Sequence, residues 1–167
     1  MSATASEPTT SSWFRNLDTA SAIYGTITAT AVIGAGAKYV PLENILILTI
    51  ATLLILWVAH VYTQSLGHHL QGGTQLRWAT VREAIADESP MLFAPLPSML
   101  FLLLGIVGLL DDHTAARLAI WIGMAQLVAW GIIYARRQGW SWRAASLAGA
   151  VNGAFGLIIV ILEVVLH

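Results

Sequence analysis

Residues 44–65, NILILTIATLLILWVAHVYTQS, form a continuous apolar run that contains no acidic or basic residue apart from His60. A helix needs about 20 residues to cross about 30 Å of hydrocarbon at 1.5 Å per residue, and this run has about that length. It does not alternate in the way of a transmembrane strand, so we predict a helix. The chain then continues as SLGHHLQGG, residues 65–73, which we interpret as a polar turn bearing His68 and His69.

The composition of the whole chain agrees with a membrane location. Of its 167 residues, 57% are hydrophobic and 10% are charged, and the mean hydropathy is +0.72. Soluble domains carry about 25% charged residues, so too few charges are present to cover a surface that faces water. The net charge of −1 excludes a basic surface for nucleic acid. The chain has no cysteine, which excludes disulfides and thiolate chemistry.

Four further apolar stretches resemble the first in length. They are Thr19–Ala37, Met91–Leu110, Ala115–Ala135 and Ala144–Leu166. The sequence therefore predicts an all-α polytopic membrane protein, with five transmembrane helices in one domain, residues 17–167. Residues 1–16 are rich in serine and threonine and are predicted to be a disordered cytoplasmic segment. Pro95 and Pro97 predict that the third span is either kinked or re-entrant.

Arginine positions predict the orientation. With five crossings, one side of the membrane carries six arginines and the other side carries Lys38 and Arg117. By the positive-inside rule, the N-terminus is expected in the cytoplasm of a cell-membrane protein and the C-terminus outside. The six arginines are Arg15, Arg77, Arg82, Arg136, Arg137 and Arg143.

The connection between the second and third spans, residues 66–90, is the only long one. Within Thr74–Glu88, Trp78, Val81 and Ile85 recur at i, i+3 and i+7. This spacing predicts a short amphipathic helix on the cytoplasmic membrane surface. Gly72-Gly73 and Ser89-Pro90 are its expected boundaries.

Histidines and acids of this region are the candidate metal ligands. Glu83 and Asp87 are four residues apart on one helical face and, with His68 or His69, could bind a divalent cation. A solvated acidic face explains the same pair. His60 is predicted to lie about 6 Å inside the cytoplasmic edge of the hydrocarbon, where an ionisable group is either functional or bonded to a neighbouring helix.

Other polar residues could line a path through the bundle. Gln64 follows His60 on roughly the same face, and Gln126, Asn152 and Glu163 lie in the last two spans. Gln126 and Asn152 are equally expected to form hydrogen bonds between helices, as are Thr26, Thr28 and Thr30. The fourth span begins after Asp111, Asp112 and His113. Either capping of the helix or entry of an external cation would explain these three residues.

Small residues form two stripes at four-residue spacing. Ser21, Gly25 and Ala29 lie in the first span, while Ala145, Gly149 and Gly153 lie in the fifth. Such stripes let membrane helices approach closely, either within the chain or across a homodimer.

No motif predicts an enzyme. The chain has no phosphate-binding loop, serine nucleophile elbow or zinc-protease motif. No lysine lies within a span to form a Schiff base, and no second deep histidine could pair with His60 on haem. Neither catalysis nor a cofactor is expected.

The stretch WGIIYARRQGWSWRAASLAGAVNGAFGLIIV, Trp130–Val160, resembles the small-residue pattern of the vacuolar iron transporter family around an Ala-Arg turn. Together with the five-span layout and the cytoplasmic insert, the resemblance implies transport of a divalent metal. The family's first two spans carry an acidic residue and a methionine, whereas here they carry Asp18 at the mouth and His60. The segment AHVY, residues 59–62, is also similar to the second span of small multi-span bacterial membrane proteins.

Two functions follow. The first is an accessory or structural membrane protein without catalysis, and the alternative is a divalent-cation or proton transporter with a cytoplasmic His/acid site. In either case the expected partners are the lipid bilayer and a second copy or a larger membrane complex.

Overall fold

The computed structural model describes residues 19–72 and 78–166, apart from the side chains of residues 68–72, 159, 160 and 162–166. Seven helices make up these residues, and no strand occurs among them. They are α1 (Thr19–Gly36), α2 (Leu42–Gly72), α3 (Trp78–Glu88), α4 (Pro90–Phe93), α5 (Leu96–Ile106), α6 (Asp112–Arg137) and α7 (Trp142–Leu166). The all-α prediction is confirmed. The predicted disordered segment, residues 1–16, lies outside the described residues.

Helix α1 is the central element of the bundle and contacts α2, α4, α6 and α7. Its sequence, TASAIYGTITATAVIGAG, consists largely of small and hydroxyl-bearing residues, and ten of its 18 residues are buried. Small side chains allow neighbouring helices to approach its backbone closely. The central position of α1 therefore follows from side-chain size more than from apolarity.

The other long helices expose their large apolar side chains. On α2, Ile55 is 69% exposed and Val58 57%, and on α7 Leu147 is 67% exposed. The same pattern occurs on α5 and α6, for example at Leu100 and Trp121. Apolar surface of this extent requires a lipid or protein environment.

Two helices are long and apolar enough to cross a membrane, namely residues Leu42–Gly67 of α2 and the whole of α6. A third span results if Trp78–Phe93 and α5, which are bent by 48° at a break, are taken together. The described residues thus support two or three spanning helices, and the predicted count of five is not confirmed. Helix α1 has 18 residues, ten of which are buried, and α5 alone has only 11 residues.

The predicted third span, Met91–Leu110, is not one helix. It is divided into α4 and α5 at Ala94–Pro95, and α5 ends at Ile106. Proline has no N–H, so Pro95 and Pro97 remove the helical donors of the Met91 and Phe93 carbonyls. This loss is the physical cause of the break.

The connection after α2 is shorter than predicted. The prediction of a polar turn after Ser65 is wrong for residues 66–72, because α2 remains helical to Gly72. No proline interrupts this segment, and a helix satisfies its own backbone groups whether lipid or water surrounds it. The predicted amphipathic helix is present as α3 from Trp78 to Glu88.

The core lies at the end of the bundle that holds the α1–α2 and α5–α6 connections. Ile33, Leu42, Leu102 and Ala119 belong to one buried cluster there, with Ile45, Ala115 and Ala116. A second cluster of Ala29, Leu53 and Met99 follows further along the bundle. Both clusters consist of apolar side chains, and the hydroxyl residues Thr30, Thr49 and Ser98 are buried in the same half of the interior.

Candidate functional site

Helices α1 and α2 run antiparallel and determine where His60 lies. Gly36 contacts Ile45 at one end of the pair, and Ala29 and Leu53 share a buried cluster in the middle. At the other end, the rings of Tyr24 and His60 lie 5.1 Å apart and are tilted by 50°. The candidate residue His60 is therefore packed against the central helix.

His60 uses one ring nitrogen within its own helix. Its Nδ1 lies 2.9 Å from the Leu56 carbonyl oxygen. A carbonyl oxygen only accepts, so Nδ1 carries the proton of this bond and Nε2 is the acceptor of the neutral ring. The partner lies in the same helix, whereas the structural alternative expected from the sequence was a bond to a neighbouring helix.

A buried carboxylate lies one turn from this pair of rings. Glu88, the last residue of α3, is 6% exposed, and Ser21 Oγ donates a hydrogen bond of 2.6 Å to its Oε2. Ser21 precedes Tyr24 by three residues, about one turn of α1. A buried carboxylate requires such donors, because desolvation of an unpaired charge is costly. The contact fastens the end of α3 to the central helix.

Glu88 was missed from the sequence, although a signal was present. The apolar face of α3 runs through Val81 and Ile85, and Glu88 follows Ile85 by three residues on the same side. An acid that continues an apolar stripe is a candidate for burial. The two acids of α3 that the sequence offered as metal ligands, Glu83 and Asp87, lie on the other side of the helix.

Gln64 and Trp57 lie near the same end of α2 and have unpaired polar atoms. Gln64 Oε1 and Trp57 Nε1 are both buried and have no hydrogen-bond partner within the described residues. They are seven residues apart and so lie on one face of α2, with His60 between them. Ser21, His60, Gln64 and Glu88 therefore form the polar end of the α1–α2–α3 region, which we call the polar cluster.

The described residues do not test the predicted metal ligands as complete sets. Glu83 is exposed and Asp87 is half-buried on α3. No group of three or more histidine, aspartate or glutamate side chains could hold a metal ion among the described residues. The side chains of His68 and His69 lie outside the described residues, so the sites predicted with them stay predictions.

A second polar site lies at the break between α4 and α5. Gln126 of α6 donates from Nε2 to the Ala94 carbonyl oxygen at 2.6 Å. Its Oε1 accepts from Ser98 Oγ at 2.9 Å. Gln126 thus bonds between helices as predicted, and both ends of its amide are used to hold the broken backbone against α6.

The threonines of α1 differ from the prediction. Thr26 Oγ1 donates to the Ala22 carbonyl at 2.8 Å, and Thr30 Oγ1 donates to the Thr26 carbonyl at 2.7 Å. The prediction of bonds between helices is wrong for these two residues. A buried threonine satisfies its hydroxyl most simply on the preceding turn of its own helix.

The small-residue stripes are used within the chain. Gly149 and Gly153 of α7 pack on α6, where an added Cβ would lie 2.8 Å from Ile132 and 2.7 Å from Val128 respectively. Asn152 on the same face of α7 contacts Gly131 of α6. The sequence left packing within the chain and packing across a homodimer open for this stripe. The structure shows the stripe packed within the chain. The side chain of Glu163, further along α7, lies outside the described residues.

The stripe of α1 receives the broken helix. A Cβ added to Gly25 would overlap the carbonyl group of Met91 in α4. In an unbroken helix, residue 95 would donate its backbone N–H to the Met91 carbonyl. Residue 95 is a proline and has no N–H, so this helical bond is missing. Ser21 bonds Glu88 one turn away, and Ala29 is completely buried one turn in the other direction.

Both ends of α6 are capped, and the cap at its start is the one that the sequence predicts. Asp111 accepts a hydrogen bond of 3.0 Å from the Thr114 backbone N–H, and the hydroxyl of Thr114, followed by this backbone N–H, lowers the pKa of the Asp111 carboxyl. At the other end, Arg136 donates to the Trp140 carbonyl at 2.8 Å, and its guanidinium lies 4.5 Å from the centre of the Trp142 ring. Gly139, with a φ of 77°, supplies the left-handed residue that ends the helix.

No protein-family model, curated protein or solved structure matches this chain. Function must therefore be argued from the two polar sites, the apolar clusters between α1 and its neighbours, and the exposed apolar surface.

Proposed function

We propose that this protein is an integral membrane protein of the cell membrane that acts as an accessory or structural subunit, without catalysis. In this proposal α1, α2, the broken α4–α5 segment, α6 and α7 are five crossings. The N-terminus lies in the cytoplasm and the C-terminus outside. The exposed apolar side chains of α2, α5, α6 and α7 support immersion in lipid. The position of α1 inside the bundle explains how a helix rich in small and hydroxyl residues would be shielded from lipid.

The observation that carries the accessory role is the pair of apolar clusters beyond His60, among which every buried hydroxyl named here is already hydrogen-bonded. The clusters around Leu53 and Leu102 lie between the polar cluster and the far end of the bundle. A transporter needs a polar or hydrated path across the membrane, since an ion in hydrocarbon is strongly destabilised. The buried hydroxyls of Thr26 and Thr30 are already bonded to their own helix. These features support a protein that packs and does not conduct.

Co-purification from native membranes tests the accessory role. The full-length protein, extracted in mild detergent, is expected to elute in a fixed ratio with another membrane protein. A photoreactive residue at the exposed position Ile55 is expected to cross-link to that protein, whereas one at the buried position Leu53 is not. Isolation as a solitary monomer or homodimer, with no cross-link from any exposed helix face, would contradict the proposal.

Labelling of the chain ends tests the topology separately. With five crossings, a tag at residue 1 is protected in intact cells and a tag after residue 167 is accessible. Ends on the same side of the membrane would exclude an odd number of crossings and the assignment of sides.

The polar cluster favours a second candidate, transport of a proton or a divalent cation. Glu88 is a buried acid, and Gln64 Oε1 is a buried acceptor without a partner in the described part of the chain. Buried ionisable groups in membrane proteins commonly mark ion pathways. In this candidate, Glu88 and His60 bind the ion at the cytoplasmic end.

Flux into liposomes distinguishes the two candidates. The accessory role predicts no movement of protons, Fe²⁺ or Mn²⁺ above that in empty vesicles. Transport predicts a flux that Glu88→Gln and His60→Ala abolish. The matched control is Glu83→Gln, which removes an exposed acid from the same helix. Flux that depends on Glu88 and not on Glu83 would replace the first proposal by the second.

A further inference from the structure

A groove between α2 and α3 is an additional feature of the surface. It has a volume of about 310 Å³ and is lined by Trp57, Val61 and Ser65 of α2 and by Val81 and Ile85 of α3, among others. The volume lies within the range of small-molecule sites. Its lining is almost entirely apolar, which suits part of a hydrocarbon chain and not a polar solute.

The charges of α3 are distributed unevenly about this groove. At about 100° per residue, Arg82 lies only about 60° around the helix from Ile85, at the edge of the groove. Glu83 and Asp87 each lie about 160° from Ile85, on the opposite side. Glu83 and Asp87 are thus directed away from the groove, and Arg82 lies at one rim. Glu88 lies about 60° from Ile85 on the other flank, where it is buried and accepts a hydrogen bond from Ser21. Arg82 is exposed, as is Trp78 one turn before it, which is 78% exposed.

We propose that this groove binds one anionic phospholipid, with an acyl chain along Val81 and Ile85 and the phosphate at Arg82. The inference rests on the membrane location proposed above, in which α3 lies at the cytoplasmic surface. That leaflet is the one that carries anionic lipids and attracts basic residues. Trp78 has the amphipathic ring that commonly lies at the level of the headgroups. The site is a specific one, because it combines a shaped apolar groove with an adjacent cation, Arg82.

Native mass spectrometry of the full-length protein tests this site. The detergent-solubilised protein is mixed with phosphatidylglycerol or with phosphatidylcholine that has the same acyl chains. One phosphatidylglycerol is expected to stay bound under conditions that remove phosphatidylcholine. Equal retention of the two lipids would overturn the proposal.

Two pairs of variants locate the bound lipid. Arg82→Gln is expected to lower the affinity for phosphatidylglycerol about fivefold, the effect of one basic residue near an anionic surface. Its control, Arg143→Gln, removes an exposed arginine of α7 and leaves the affinity unchanged. Val81→Phe fills the groove and reduces the binding of both lipids. Its control, Val151→Phe at an exposed site on α7, does not.

The outcomes are separate from those of the proposed function. Identical behaviour of the Arg82 and Arg143 variants, or unchanged binding in Val81→Phe, would refute the lipid site even if a protein partner co-purifies. A phosphatidylglycerol preference that depends on Arg82 would establish the site even if the protein is isolated alone. Arg82 is on the surface, so its replacement tests the site without disturbing the core.

Discussion

Replacement of Gly25 by alanine tests whether the broken helix is seated on α1. In most helices this change is stabilising, because alanine exceeds glycine in helix propensity by about 0.8–1.0 kcal/mol. Here the new Cβ would overlap the Met91 carbonyl. That group belongs to the backbone of α4, so it cannot move away by rotating a side chain. Overpacking costs about 1–3 kcal/mol, and overlap with rigid backbone favours the upper part of that range, about 2–3 kcal/mol. After subtraction of the propensity gain of about 1 kcal/mol, we expect Gly25→Ala to lower stability by about 1–2 kcal/mol.

The matched control is Gly67→Ala in α2, where a Cβ would have no neighbour within 4 Å. This variant is expected to gain the propensity term. In thermal unfolding followed by circular dichroism, 1 kcal/mol corresponds to about 2–4 °C in Tm for a protein of 150–250 residues. Gly67→Ala should therefore rise by about 2–4 °C, and Gly25→Ala should fall by about 2–8 °C. A rise in both variants would refute the contact between α1 and α4.

Three further variants test the polar contacts, each measured by thermal unfolding. Gln126→Leu leaves the Ala94 carbonyl without its donor, and the loss is expected to be about 1–3 kcal/mol. Glu88→Gln keeps an acceptor for Ser21 and should unfold close to the wild type, whereas Glu88→Ala should lose about 1–3 kcal/mol. Because the pKa of Asp111 is lowered in the folded protein, its contribution to stability is complete above the ordinary pKa of about 3.9. This contribution is lost as the pH falls through the lower pKa of the folded state. Asp111→Asn caps the helix without titrating, so only the wild type should lose this part of its Tm between pH 5 and pH 2. Equal acid sensitivity of the two proteins would contradict the capping bond.

Continuous apolar runs of about 20 residues predict the long helices of this protein well. The predicted stretches Thr19–Ala37 and Ala144–Leu166 correspond to α1 and α7 within a few residues. The start of α6 was also predictable, because an acid before an apolar run marks an N-cap. These features depend on residues close together in the chain, so the sequence alone contains the necessary information.

The number of membrane crossings is a different kind of property. Hydropathy measures how apolar a segment is, whereas α1 is surrounded by other helices and needs little apolarity of its own. Pro95 and Pro97 predicted that the third span is kinked or re-entrant, but they did not predict the angle between its two parts. The bend of 48° depends on how Gln126 and Gly25 receive the freed backbone. Such contacts join residues far apart in the chain, and no local pattern specifies them.

Two polar contacts between helices share one arrangement, in which a side chain of an unbroken helix holds the broken segment. This arrangement connects the fold to the proposed role. Ser21 and Gln126 belong to continuous helices, α1 and α6, and each holds part of the interrupted segment between Trp78 and Ile106. Ser21 bonds the side chain of Glu88 and Gln126 bonds the backbone carbonyl of Ala94, so these side chains fix the broken segment to α1 and α6 on either side of its break. A transport path would need some of these groups to exchange partners during each cycle. Bonds that are required to hold α4 and α5 in place are poorly suited to that exchange, and this favours the accessory role over transport.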